Sequence, residues 1–255
     1  MPEMLTPTVE VRRAGERQAS RLSWLDSKHS FSLGTSRPDP ANTHHGLLVV
    51  HNEDLVQPGT GFETHPHRDM EIVTWVLQGS LVHQDSSGHS GVIHPGLAQR
   101  MSAGTGILHS EKNDTYGLTG ERPTTPVHFV QMWVLPDAAG VTPEYEQLEI
   151  DDELLGGTLF TVASGMDRHR DASAIRIRNR YAALHAARLR LGQQITLPEA
   201  PFLHLFVARG SVGLEGTGVL SQGDAARFTA TGGQRVTAVE PAEVLVWEMH
   251  ATATV

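Results

Sequence analysis

The sequence predicts an all-β fold of two tandem antiparallel β-barrels, and three observations carry that expectation. Short apolar runs follow one another at close intervals, and Gly, Pro, Asn or Asp punctuates nearly every gap. Glycine and proline are plentiful, at 25 and 14 of 255 residues, which favours a turn-rich β chain over a helical one. The same succession of runs and turns then occurs twice along the chain.

The opening stretch holds SWLDSKHSFSLG and then SRPDPANTHHG, whose Pro/Asp/Asn cluster reads as a loop. Strand-like runs follow: GLLVVHNE, MEIVTWVLQG, SLVHQD, GVIHPG, AQRMSAG and VHFVQMWVLP. The rhythm breaks around LEIDDELLGG. Residues 137 to 175 read as a connection with a single strand, GTLFTVAS. Strands resume with YAALHAARLRLG, QITLP, FLHLFVARGSVGLEG, AARFTA, QRVTAV and EVLVWEMH. In the first module Gly59 precedes a His-Pro-His site by five residues, and an apolar strand, Gly79 and a Pro95-Gly96 turn follow. In the second, Gly192 precedes Pro198-Glu199-Ala200 by five residues, and an apolar strand, Gly210 and a Gly223-Asp224 turn follow. The expected domains are residues 1–136 and 137–255.

Hydrophobic residues at 39% and charged residues at 19% describe a globular chain long enough to bury a core without staples. The net charge of -9 and the lack of a dense Lys/Arg run argue against nucleic acid as a partner. No cysteine is present, which removes disulfides, thiolate ligands, iron–sulfur sites and cysteine nucleophiles. There is no apolar signal core, membrane-length run, Gly-x-Ser-x-Gly elbow or phosphate loop, so a cytoplasmic protein without a membrane partner is expected.

With 15 histidines in the chain, some need a reason. His65 and His67 stand two apart at the start of an apolar run, a spacing that points both to one face of a strand. Pro66 between them faces the other way and belongs at a strand start or a sheet edge. His109 and Glu111 repeat the spacing after Gly104 and Gly106, which allow a sharp turn. One His-x-His pair is commonly two polar residues at the mouth of a strand. Two such pairs facing each other inside a barrel would bring three imidazoles and a carboxylate together. That donor set suits Fe(II), Mn, Co, Ni, Cu(II) or Zn and leaves positions for substrate, water or dioxygen. His83, His89 and His94 find no second partner at this spacing and are expected in turns or at the surface. Trp24, Trp75, Trp133 and Trp247 are expected in the core or lining a cavity.

Gly59-x5-His65-x-His67-x3-Glu71 with Gly79, and Gly106-x2-His109-x3-Asn113, resemble the two cupin motifs. GFETHPHRDMEIVTWVLQGSLVHQDSSGH, QRMSAGTGILHSEKN and VQMWVLPDAAGVTPEYEQ are similar to the pirin family, and in particular to its bacterial quercetin 2,3-dioxygenase branch. The resemblance is dense from residue 20 to 148 and looser afterwards. It implies a bicupin of jelly-roll-like barrels with one metal ion, usually iron, in the N-terminal barrel. The ligands it implies are His65, His67, His109 and Glu111, with Glu71 outside the set. Leu97 departs from the family, where an acidic residue is common after Pro-Gly. Pro198 and Ala200 stand where the second module would need its first two histidines, so that module is expected to be a degenerate cupin without a metal. His204 is expected as a core or lining residue.

The function implied is a metal-dependent dioxygenase. It would cleave the heterocyclic ring of a flavonol such as quercetin with dioxygen and release carbon monoxide, with Glu111 as the base for the substrate hydroxyl. The alternative is an iron-binding, redox-sensitive regulator acting through a protein partner.

Overall fold

The computed structural model describes residues 5–150 and 153–253. Its strands form four sheets, a seven-stranded and a four-stranded sheet for each half of the chain. The first large sheet runs, edge to edge, Glu144–Glu149, Leu97–Ser102, Glu71–Gln78, Val127–Val134, Leu48–Val56, Leu25–His29, Gln18–Arg21. Its small companion runs Gly61–His67, Ile107–Lys112, Leu81–Asp85, Ser90–Ile93. In the second half the large sheet runs Thr8–Arg12, Ala225–Gly232, Glu199–Arg209, Ala242–Met249, Ala182–Leu189, Phe160–Ser164, Ile175–Arg176. The small one runs Gln194–Thr196, Arg235–Ala238, Ser211–Leu214, Gly218–Ser221.

The all-β class agrees with the sequence expectation, but the closed barrels do not appear. Among the described residues no strand pairing joins a large sheet to a small one. Each half is a two-sheet sandwich held by side-chain packing. In the first half Val56, Val76 and Phe129 of the large sheet pack on Leu81 and Ile93 of the small one. In the second half Leu203, Leu205 and Phe228 pack on Val212, Leu214 and Val236. The two large sheets also pack on each other through Trp75, Met132 and Val134 against Phe206, Leu245 and Trp247. The large sheets are therefore covered on both faces. This explains why EIVTWVL is buried without interruption from Glu71 to Leu77 and shows no polar alternation.

The halves are laced together at their ends. Glu144–Glu149 lies beyond the expected boundary at 136/137, yet it pairs with Leu97–Ser102 in the first half's sheet. Thr8–Arg12 pairs with Ala225–Gly232 in the second half's sheet. Polar contacts cross the interface too: Trp75 Nε1 donates to Glu243 Oε1 at 2.6 Å and Trp247 Nε1 to the Met132 sulfur at 3.2 Å. Among the described residues no helix is long and apolar enough to cross a membrane.

Candidate metal centre

The strand Gly61–His67 is the edge of its small sheet, which accommodates a proline that cannot donate to the ladder. Pro66 is exposed, while His65 and His67 turn inward on either side of it. The neighbouring strand Ile107–Lys112 pairs antiparallel to it and sets His109 opposite His65. The ladder is irregular between His109 and Glu111, so Glu111 comes opposite Phe62. Gly61 makes the approach of the two strands possible, since a Cβ there would stand 2.3 Å from the Glu111 carbonyl oxygen. Gly104, at φ +47°, lets the turn before the second strand pass the Val141 carbonyl, where a Cβ would stand 2.0 Å from its oxygen.

The result is a cluster of nitrogens. His65, His67 and His109 each offer a ring nitrogen within 4.8 Å of the others. His65 Nε2 and His109 Nε2 are 3.0 Å apart. His67 Nε2 is buried without a hydrogen-bond partner, and its ring meets Trp133 edge to face at 4.8 Å. Glu111 is buried, with Oε2 at 3.9 Å from His109 Nε2. It falls in a second group of donors with His109 and His83, and Gln131 Nε2 donates to both its oxygens, at 2.8 and 2.7 Å. Trp133 Nε1 in turn donates to Gln131 Oε1 at 3.0 Å. Glu71 turns away and accepts from Ser102 Oγ at 2.8 Å and the Arg178 backbone N–H at 2.9 Å.

The donor chemistry fits a cation. His65 Nδ1 donates to the Glu63 carbonyl at 2.7 Å, which leaves the Nε2 lone pair facing the cluster. Behind His109, His83 Nε2 is 3.1 Å from Asp85 Oδ2, so that nitrogen carries the ring N–H and donates to the Asp85 carboxylate. His83 Nδ1 is then a lone pair, 3.5 Å from His109 Nδ1, and it favours the proton of His109 on that nitrogen. His109 Nε2 is thereby left as a second lone pair aimed at the first. Two lone pairs at 3.0 Å repel unless a cation sits against both. Burial, reinforced by the neighbouring imidazoles, lowers the pKa of His67 to about 4 and that of His109 to about 3. Both are neutral at physiological pH, the form that binds a metal.

His83 is buried, contrary to its expected place in a turn or at the surface. Its partner Asp85 also accepts from His89 Nδ1, at 3.1 Å, and Tyr145 lies over both rings. The His83-x-Asp85 spacing repeats the period of two that marks the other pairs, and it was the available signal for this network. Gln131 carried no such signal. A groove of about 410 Å³, lined by Pro66, His67, Ile107 and Leu108 among others, opens beside the cluster. Leu97 is buried in the core. The indoles behave as expected: Trp75 and Trp247 are buried between the large sheets, while Trp24 and Trp133 are partly buried against smaller cores.

Residues 10–134 match the family model described as Pirin, and residues 161–249 match that of the quercetinase C-terminal cupin domain. A Mycobacterium tuberculosis protein named "Putative quercetin 2,3-dioxygenase" is 61% identical over 247 residues, covering 97% of each chain. An Escherichia coli protein named quercetin 2,3-dioxygenase is 43% identical over 143 residues, 56% of this chain and 58% of its own. Among solved structures, the Escherichia coli protein YhhW superposes with a TM-score of 0.84 at 32% identity, covering 97% of this chain and 100% of its own. The structure of YhhW as a bacterial pirin in complex with nickel(II) gives 0.81 at 31% identity, over 96% of this chain and 100% of the other. The first half carries a His/Glu group able to hold a metal ion, the fold is all-β with two cupin-type domains, and the chain belongs to the pirin family.

Proposed function

We propose that this protein is a quercetin 2,3-dioxygenase-type enzyme in which His65, His67, His109 and Glu111 hold one divalent transition-metal ion, Fe(II) by preference. The observation that carries the reading is the convergence of the His65, His67 and His109 ring nitrogens with the Glu111 carboxylate beside them. When bound, the ion supplies Lewis acidity that favours the ionised flavonol hydroxyl, and redox chemistry toward dioxygen.

The chain's own residues supply the rest. Glu111 is a buried carboxylate beside His109 and accepts the hydroxyl proton of the substrate. Gln131 fixes that carboxylate by donating to both oxygens, and Trp133 fixes Gln131. The groove beside His67 presents Pro66, Ile107 and Leu108, apolar surface against which flat aromatic rings can lie. Ring opening of the bound flavonolate by dioxygen releases carbon monoxide. The names of the relatives support the substrate class, and the cytoplasm is the compartment proposed.

Aerobic incubation of the metal-loaded protein with quercetin tests the proposal. Loss of the flavonol absorption band with matching carbon monoxide is expected. No turnover with Fe, Mn, Co, Ni or Cu would overturn it.

A further inference from the structure

The metal cluster lies on one face of the first large sheet, with Thr74 and Gln131. His51 lies on the other, because it pairs with Met132, and neighbours along a strand face opposite ways. On that second face, between the two large sheets and beside the N-terminal segment, is a partly open cavity of about 140 Å³. Arg12, Arg13, Arg17, Asn42, His204 and Arg227 are among its lining residues. They come from both halves of the chain and from the N-terminal strand that pairs with the second half's large sheet.

The cations of this wall are unequally partnered. Arg12 pairs with Glu10 at 2.6 Å, Arg13 with Asp224 at 2.7 Å and Arg17 with Glu53 at 2.5 Å. Two acidic residues also line the cavity, Glu16, which accepts from the Arg13 backbone N–H, and Asp39, which accepts from that of Ala41, and neither forms an ion pair with Arg227. Arg227 is 5% exposed and has no carboxylate partner among the described residues. It donates only to neutral oxygens, Asn42 Oδ1 and the Ser30 carbonyl, both at 2.8 Å, and lies over the Phe31 ring. Burial, with the nearby Arg12 guanidinium and against the smaller pull of Glu10, lowers its pKa to about 10.

Several donors here are also idle. Arg17, whose side chain is 4% exposed, has Nε and Nη1 buried without partners. Arg227 Nε has none, and neither ring nitrogen of the fully buried His204 has one. Buried polar groups are nearly always satisfied, so a cluster of exceptions around one hollow indicates something that fills it. Waters could satisfy the donors, at about 30 Å³ each. They could not neutralise a guanidinium, whose burial without a counter-ion is costly.

We propose that the cavity between the large sheets is a binding site for one small oxyanion, of inorganic phosphate or short carboxylate size, held by Arg17 and Arg227 with an N–H from His204. Guanidinium forks match both anions. The volume is well below the roughly 300 Å³ at which drug-sized ligand pockets begin, so a nucleotide is too large. The bound anion would tie the N-terminal segment to both halves. This inference does not depend on the metal reading.

The test titrates the full-length, metal-loaded protein with inorganic phosphate, sulfate or malonate, with sodium chloride at matched ionic strength as the control. Calorimetry should show one saturable site per chain for phosphate or malonate, and the tighter of the two identifies the ligand chemistry. Melting temperature should rise with occupancy of the same site. Arg227→Gln should weaken binding about tenfold or more, while Arg235→Gln, at an exposed ion pair, should bind as the parent does. Arg17→Gln serves as a second variant should Arg227→Gln not fold, with the same loss expected. Absence of saturable binding by any of these anions overturns the proposal. So does binding unchanged in both cavity variants, or a crystal grown in phosphate with only waters in the cavity.

Discussion

In the first half Glu111 faces His83 across one ladder and Phe62 across the other, while in the second half Val236 faces Leu214 and Ile195. The positions correspond: His83 lies four residues after Gly79 and Leu214 four after Gly210. Counting on from Phe62 and Ile195, His65 and His67 fall on Pro198 and Ala200; counting back from Glu111 and Val236, His109 falls on Gln234. The strand order of the small sheets is the same in both halves. One plan therefore carries two interiors. The first is lined by imidazoles, carboxylates and Gln131. The second is closed by Leu203, Leu205, Val212, Leu214 and Val236. A sandwich of this kind does not require its interior to be apolar. It requires that each polar group inside it be satisfied, and in the first half the His/Glu group able to hold a metal ion is where that account stays open.

Removing one donor from the polar interior should have the largest effect. His109→Ala is expected to abolish flavonol turnover and to weaken metal binding by more than about a hundredfold while leaving the fold intact. Turnover, metal titration and circular dichroism check the three parts. Glu111→Gln comes next. It keeps the shape and the hydrogen-bonding oxygen but loses the base, so turnover should fall by roughly 10²- to 10⁴-fold with an ion still bound. Metal analysis of the same sample separates lost chemistry from lost metal.

A smaller effect is expected one layer out. His83→Phe removes the group behind His109 Nδ1 and should weaken metal affinity about 10- to 100-fold, with partial recovery in His83→Gln. An unchanged affinity in both would mean that His83 only fills space. In the apolar interior the effect should be on stability alone. Leu214→Ala should cost about 2–5 kcal/mol in chemical denaturation and leave metal stoichiometry untouched. The last expectation concerns pH. Burial lowers the pKa of His45 to about 4 and that of His51 to about 3, against 6.5 unfolded. The unfolded chain therefore binds protons first as pH falls below 6.5, and stability should drop from there toward pH 4. Asp54, which burial raises to about 7, acts in the opposite sense between 3.8 and 7 and reduces the slope. Denaturation midpoints at pH 7.5 and 5.5 measure the net effect.

How much of this the sequence carried depended on whether the signal was local. The residue pairs His65/His67 and His109/Glu111 were legible because a strand repeats every second residue and both members of each pair share one strand. The repeat was legible because turns need Gly and Pro at fixed places. Gln131 was not, since it reaches Glu111 from a strand twenty residues on and carries no mark of its own. The open sheets were not, since closure depends on strand tilt and stagger rather than on composition. The extent of the first half was not, because pairing of Glu144–Glu149 with Leu97–Ser102 is a long-range choice. The Arg17–His204–Arg227 cavity is the extreme case, assembled from segments that are unremarkable one at a time.

Anomalous diffraction from crystals of the metal-loaded protein tests the central claim most directly. One peak per chain is predicted, bordered by His65 Nε2, His67 Nε2, His109 Nε2 and a Glu111 oxygen, with none inside the second half. A peak elsewhere, or those four side chains turned apart in ample divalent metal, would contradict it.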